Sequence, residues 1–346
     1  MNSVKFILPA DSCLPGERME KRGEESMNKL LEFARNAQSI AILGHVRPDG
    51  DCVGACLAVW NYLAGQYPDK EIQVYLEQPP VKFHYLKRFD DISQDTDSGK
   101  QYDLCICLDS SDTERLGDFA GYLAGASQSI CIDHHVTNRG YAMENIIDPD
   151  ASATCELLCD FLDQDQINQT VAECIYTGIL HDTNVFKNSN TTAKTMEAAG
   201  RMMAKGIDFG RIIDESFYRK TYVQNQILGR ALMESILFLH GKCIFSAVRM
   251  KDMDFYNVTS ADLDGIVDQL RVTGGVECAI FLHEIENHVY KVSMRSNQYV
   301  DVSRVAAFFG GGGHVRAAGC TMNGSMYDVV NNLSKHIEKQ IQEHEG

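Results

Sequence analysis

An imidazole and two carboxylates stand within seven residues of one another at His45, Asp49 and Asp51, on a turn held by Pro48 and Gly50. Neutral imidazole with hard carboxylate oxygens suits Mn2+, Mg2+ or Zn2+, whereas a thiolate set would draw softer ions. Taken alone, the group fits equally a solvated Asp-Gly-Asp turn, because Asp-Gly is a common turn dipeptide. The same residue types recur at Asp109, at Asp133-His134-His135 and at Asp182. Where the chain carries them decides between the two readings.

Residues 39–43 form a buried apolar run that turns polar just before His45. After Asp51, apolar residues fall at Val53, Leu57, Trp60 and Tyr62 with small residues between, which predicts a helix packed closely on a sheet. This strand-loop-helix pattern puts His45, Asp49 and Asp51 at a strand's carboxyl end, where open α/β sheets place their ligand sites. A second strand is expected over residues 72–76, followed by a polar connection over 77–101. Residues 102–109 are apolar on both faces, as in a central strand of a parallel sheet, and end in Asp109. Residues 129–135 repeat the design and end in Asp133-His134-His135. Three strands thus finish in metal-capable side chains at one edge, which packing alone does not explain. Asp182 lies near the carboxyl end of a helical pattern over 171–186, where the helix dipole disfavours a carboxylate and a local cation would favour it. By itself Asp182 would read as a solvated helix end.

The 346 residues suffice for two domains, and 44% hydrophobic with 23% charged content is ordinary for a soluble globular chain. A formal net charge of −16 argues against a footprint on long duplex DNA or on an anionic membrane. It leaves room for a small phosphorylated substrate, because bound cations reverse the local sign of a carboxylate-rich pocket. The twelve cysteines are scattered, with no Cys-x-x-Cys pair, and suit buried reduced thiols. With no signal peptide and no run of eighteen apolar residues, the expected compartment is the cytoplasm.

In order and spacing, His45-x-x-x-Asp49-x-Asp51, the strand-final Asp109, Asp133-His134-His135 and Asp182 in Gly178-Ile-Leu-His-Asp182-Thr resemble the four motifs of the DHH phosphoesterase superfamily. The resemblance covers roughly residues 39–186. It implies two Mn2+ ions, with Mg2+ as the possible substitute. His45, Asp49 and Asp109 would hold one ion; Asp51, Asp109, His134 and Asp182 would hold the other, with Asp109 bridging. Two ions about 3.5–4 Å apart can activate a water and clamp phosphoryl oxygens. Asp133 would orient an imidazole, and His135 would face the substrate phosphate, so that Asp109, Asp133 and His135 form the catalytic group.

Short helices are expected over 192–204 and 208–217, and a longer connecting helix over 224–239. A second α/β pattern follows: a strand at 243–248, a helix at 261–270, a hairpin of 277–285 with 288–294 around Glu286-Asn287, and helices at 302–309 and 326–342. Between the last two lie Gly310 to Gly313 and His314, and glycines let a backbone approach a phosphate closely. Arg295-Ser296 followed by Gly-Gly-Gly-His resembles the DHH-associated C-terminal domain of NrnA-type oligoribonuclease and pAp phosphatases. There Arg295, Ser296, Gly312, Gly313 and His314 would grip the far phosphate and base of the substrate. The lysine- and arginine-bearing lobe of family-II pyrophosphatases and the extra domains of RecJ-type exonucleases are not matched.

The expected architecture is therefore two-lobed α/β. A mostly parallel sheet flanked by helices (residues 27–223) is joined by a helical linker (224–239) to a smaller α/β domain (240–346), with the site between lobes and residues 1–26 a tail. The expected activity is hydrolysis of short RNA oligomers and pAp by a monomer or homodimer. Cyclic di-AMP or pApA hydrolysis is the close alternative, and a non-catalytic nucleotide sensor the alternative of another class.

Overall fold

The computed structural model describes residues 29–96 and 99–346, so the expected tail at 1–26 lies outside the described residues. The chain divides into two compact units at Arg219/Lys220. In the first, helical residues 29–36 (α1) lead into β1 (Ser39–Leu43), α2 (Gly50–Gln66), β2 (Glu71–Tyr75), β3 (Leu104–Leu108), α3 (Ala120–Gly125), β4 (Gln128–Asp133) and β5 (Glu144–Ile147). The helices α4 (Thr154–Phe161), α5 (Gln169–Asp182), α6 (Ala193–Ala204) and α7 (Phe209–Ile213) follow. The five strands are parallel, in the order β2-β1-β3-β4-β5.

Both faces of this sheet are covered, so its strands carry apolar residues at every position rather than at alternate ones. Ile40 and Ile42 of β1 enter the core beneath α2 and α5, while Ala41 and Leu43 face a second cluster with Tyr102, Phe119 and Tyr122. The chain leaves β1 for β2 on one side and returns to β3 on the other. This makes β1/β3 the point where strand order reverses, the place where such sheets bind ligands. Register sets Leu43 beside Cys107, and Cys107 beside Cys131. The segments that follow β1, β3 and β4 therefore emerge side by side.

Helix α2 is buried along most of its length and packs on α5. A Cβ on Gly54 would lie 2.6 Å from the Cys174 carbonyl oxygen and 3.1 Å from the Gly178 nitrogen, so glycine is what lets the two helices approach. The eleven described cysteines are free and buried, and no described helix is long and apolar enough to cross a membrane.

The second unit holds a six-stranded mixed sheet in the order β10-β11-β9-β8-β7-β6. It is built from α8 (Tyr222–Met233), β6 (Ile236–Phe238), β7 (Cys243–Val248), α9 (Met250–Tyr256), α10 (Ile266–Arg271), β8 (Cys278–Glu286) and β9 (Val289–Ser296). Then come α11 (Val302–Phe308), β10 (Gly312–His314), β11 (Ala317–Asn323) and α12 (Met326–Glu345). Only β7 and β8 pair in parallel.

Three expectations change here. The helix predicted over 224–239 stops at Met233, and Ile236–Phe238 pairs antiparallel with β7 across a turn at Leu239, His240 and Gly241, all with positive φ. Its Ile227 and Ala231 pack against Ile244, Ala279 and Phe281 of the second unit. The helix predicted over 261–270 breaks at Gly265, whose φ of 81° ends a 3-10 turn (Ser260–Leu263) and starts α10. The hairpin turn falls at Asn287-His288, one residue later than expected.

Gly54→Ala should lower Tm by several degrees, because a buried clash with backbone typically costs about 1–3 kcal/mol. Gly65→Ala, with nothing within 4 Å of its added Cβ, should leave Tm unchanged or raise it. Thermal denaturation of the pair checks the close-packing account; equal shifts would contradict it.

Candidate metal centre

The loops after β1, β3 and β4 bring the strand-end residues together, and the ends of α4 and α5 close the group. Asp109 directly follows β3 with φ 56°, a conformation that costs a non-glycine residue about 1–3 kcal/mol and concentrates at functional positions. Its two carboxylate oxygens face different histidines. Oδ2 lies 3.5 Å from His45 Nε2, and Oδ1 lies 3.6 Å from His134 Nε2. His45 Nε2 is also 3.6 Å from Asp49 Oδ1, while His134 Nε2 is 3.1 Å from Asp182 Oδ2 and 3.9 Å from Asp51 Oδ2.

Both imidazoles are held by their other nitrogen. His45 donates Nδ1–H to the Val46 carbonyl at 2.8 Å, and His134 donates to Ala151 at 3.2 Å. This leaves each Nε2 to face the carboxylates. Asp49 caps α2, accepting from the Asp51 and Cys52 N–H groups at 3.1 Å each. Asp133 is fully buried and accepts from His135 Nδ1 and Asn138 Nδ2, both at 2.7 Å. It orients His135, whose Nδ1 lies 3.8 Å from Asp109 Oδ1.

Electrostatics sharpen the arrangement. Among the described residues, the ion pairs of Asp49, Asp51, Asp109 and Asp182 are with histidines, and neither lysine nor arginine joins them. Burial pushes Asp51 well above the usual carboxylate range, and the facing charges of Asp109 and Asp182 push it further. Burial opposes a charged His45, but Asp109 and Asp49 outweigh it and raise the ring to about 11. His134 rises to about 10 for the same reasons, with Asp182 the chief carboxylate. The cluster therefore favours added positive charge, which a divalent cation would supply. Donor atoms 3.1–3.9 Å apart fit this, since two ligands at right angles on one ion, each at about 2.1 Å, lie about 3 Å apart. Three overlapping groups could hold an ion: His45, Cys52 and Asp109; Asp51, His134 and Asp182; and Asp109, His134 and His135.

Sequence reasoning missed several contributors. The N-terminus of α4 holds Asp51: the Thr154 and Cys155 N–H groups donate to its two oxygens at 2.6 and 3.0 Å. The Thr154 hydroxyl also donates to Asp109 Oδ1 at 3.0 Å. A threonine opening an apolar helical run was the available signal. His181, next to Asp182, stands apart from the cluster. It stacks on Phe217 at 4.2 Å, and burial lowers it to about 3.

In the second unit, His314 pairs with Ala317 and Ala317 with Arg295, so His314 and Arg295 share one sheet face with the small Ala317 between them. Arg295 Nε reaches Asp268 at 3.2 Å. Ser296, the next residue on β9, faces the opposite side and is buried. The expected Arg-Ser pair is thus split. Gly313 has φ 141°, and a Cβ there would meet the Ala317 carbonyl oxygen at 2.5 Å. Gly312 has nothing within 4 Å. Gly311 and Gly313 are thus seated closely on β11, while Gly310 and Gly312 have open space around them.

Residues 39–179 match the family described as DHH family, N-terminal domain, and residues 240–343 match the DHHA1 domain. Together the matches cover well over half of the chain, which belongs to the DHH phosphoesterase family and carries its DHHA1 domain. Among curated relatives it is 29% identical over 317 residues to the bifunctional oligoribonuclease and PAP phosphatase NrnA of Thermus thermophilus, covering 90% of this chain and 93% of that one. It is 26% identical to the protein of the same name from Bacillus subtilis, covering 89% and 96%. An exopolyphosphatase-related protein from Bacteroides fragilis superposes with a TM-score of 0.80 at 25% identity, covering 91% and 96%.

The pH dependence follows from the two histidines. Their folded pKa values of about 11 and 10 lie above the ordinary 6.5. The stability they contribute to metal-free protein is full below pH 6.5 and lost as pH rises through 10 to 11. A divalent ion must displace these protons, so its binding should strengthen with pH. Melting with chelator should show falling Tm from pH 7 to 10, and the Tm gain from added Mn2+ should grow over the same range. A metal-induced gain independent of pH would contradict the assignment.

Proposed function

We propose that this chain is a divalent-metal phosphohydrolase that cleaves phosphoester bonds of short oligoribonucleotides and pAp, with Mn2+ as the working ion. His45, Asp49 and Asp109 would hold one ion, and Asp51, Asp109, His134 and Asp182 a second. Bound there, such a pair supplies Lewis acidity that activates water and offsets charge on phosphoryl oxygens.

The single observation that carries the reading is Asp109, whose two oxygens face two separate histidine-carboxylate groups from one buried side chain. The chain's own residues do the remaining work. Thr154 and the backbone of α4 hold Asp109 and Asp51 in place, so the ligand set is formed before substrate arrives. Asp133 holds a proton on His135 Nδ1, since its hydrogen bond raises the histidine pKa. A partly exposed imidazole whose charged form is favoured by Asp133 suits contact with a phosphate oxygen. Arg295 and His314 are the proposed hold on the far part of the nucleotide. The substrates are those in the names of the Thermus and Bacillus relatives, which match nearly their whole length.

The test is a Mn2+-supplemented panel of pAp, linear dinucleotides, short RNAs and cyclic dinucleotides, compared by kcat/KM. We expect pAp and the short RNAs to lead, Asp109→Ala to abolish turnover, and Asp133→Asn to cost about 10–100-fold. Preference for cyclic dinucleotides would move the chain to the phosphodiesterase alternative, and no turnover by metal-loaded protein would favour a sensor.

A further inference from the structure

Arg47 sits between His45 and Asp49, so its Cα lies within about 7 Å of each of theirs by chain geometry alone. It is exposed, and among the described residues no carboxylate pairs with its guanidinium, although the chain carries a net charge of −16. Its backbone has φ 55°, the left-handed region, which costs a long side chain energy that a glycine would not incur. Two bonds hold it there: Val46 N–H donates to Arg115 O at 2.7 Å, and Arg47 N–H donates to Glu77 Oε2 at 2.7 Å. Strain imposed from both sides, at a residue whose guanidinium has no ion pair among the described residues, points to function.

An open depression of about 450 Å³ lies beside it, lined by Arg47, Pro48, Glu77, Gln78 and Pro80. That size is within the range of small-molecule sites. Its walls join two apolar rings to a carboxylate and an amide. Gln94 Nε2 donates to Gln78 Oε1 at 2.6 Å, which leaves the Gln78 NH2 group for a ligand. Glu77 keeps one oxygen, Oε1, to accept from hydroxyl or amino donors. A free cation, sugar-compatible acceptors and flat apolar surfaces together describe a nucleoside phosphate.

We propose that Arg47 grips a phosphate of the substrate and that this cavity seats the adjoining nucleoside, so that the cavity beside Arg47 favours nucleotides over simple phosphoesters. The proposal rests on the phosphohydrolase reading for its ligand class, but its test does not need turnover. The probes are AMP and inorganic phosphate, titrated calorimetrically into the full-length, Mn2+-loaded chain.

Arg47→Gly should weaken AMP binding about 10–150-fold, the range for losing a hydrogen bond between charged groups. It should not lower Tm, because glycine relieves the positive φ. Arg47→Lys should retain part of the affinity. Gln78→Trp, which fills the cavity, should weaken AMP at least tenfold while inorganic phosphate binds as before. Unchanged AMP binding in either Arg47→Gly or Gln78→Trp, or no AMP binding by the unmodified chain, would overturn the proposal. Arg47-dependent AMP binding by a chain that hydrolyses neither pAp nor short RNA would instead sink the proposed activity and leave this site standing.

Discussion

Three buried or half-buried carboxylates, Asp51, Asp109 and Asp182, converge on one imidazole, and among the described residues neither lysine nor arginine forms an ion pair with them. Like charges gathered in a poorly solvated place repel strongly, and the first unit is built to hold them there nonetheless. The parallel sheet delivers His45, Asp109 and His134 from the ends of neighbouring strands, at the point where strand order reverses. No single segment could place the three so closely.

Two helix ends finish the arrangement, with opposite electrostatics. The N-terminus of α4 presents N–H groups to Asp51, a favourable place for a carboxylate. Asp182 ends α5, where the dipole is unfavourable, and its compensation is His134 at 3.1 Å. The glycines Gly54 and Gly178, which bring α2, α4 and α5 into close contact, set how near these ends approach the sheet. Close packing and electrostatics therefore depend on each other, because a looser helix pair would withdraw Asp182 from the cluster.

Much of this was legible in the sequence. Apolar runs ending in Asp or His marked β1, β3 and β4, and the spacing of His45, Asp49 and Asp51 marked the loop before α2 and its first turn. Side chains that announce themselves by type were found. The N–H groups of Thr154 and Cys155 were not, because backbone donors carry no residue signature and only the fold aims them. The second unit was less legible for a related reason. Ile236 to Phe238 continue the helical spacing of α8, yet their backbone gains more by pairing with β7. The glycine run suggested close approach to a phosphate, and the fold adds a packing reason that the sequence hid, since Gly311 and Gly313 clear β11. Arg295 and Ser296 looked like a pair because they are adjacent, and adjacency on a strand sends them to opposite faces.

Asp109, as proposed above, would bridge two divalent ions. Electron paramagnetic resonance of the Mn2+-loaded chain tests it most directly, with metal content measured on the same sample. Two ions about 3.5–4 Å apart across one carboxylate should give two Mn2+ per chain and the spectrum of a magnetically interacting pair. Asp109→Asn should lose that signature. A single bound ion, or two ions giving independent mononuclear spectra in the unmodified chain, would contradict the account.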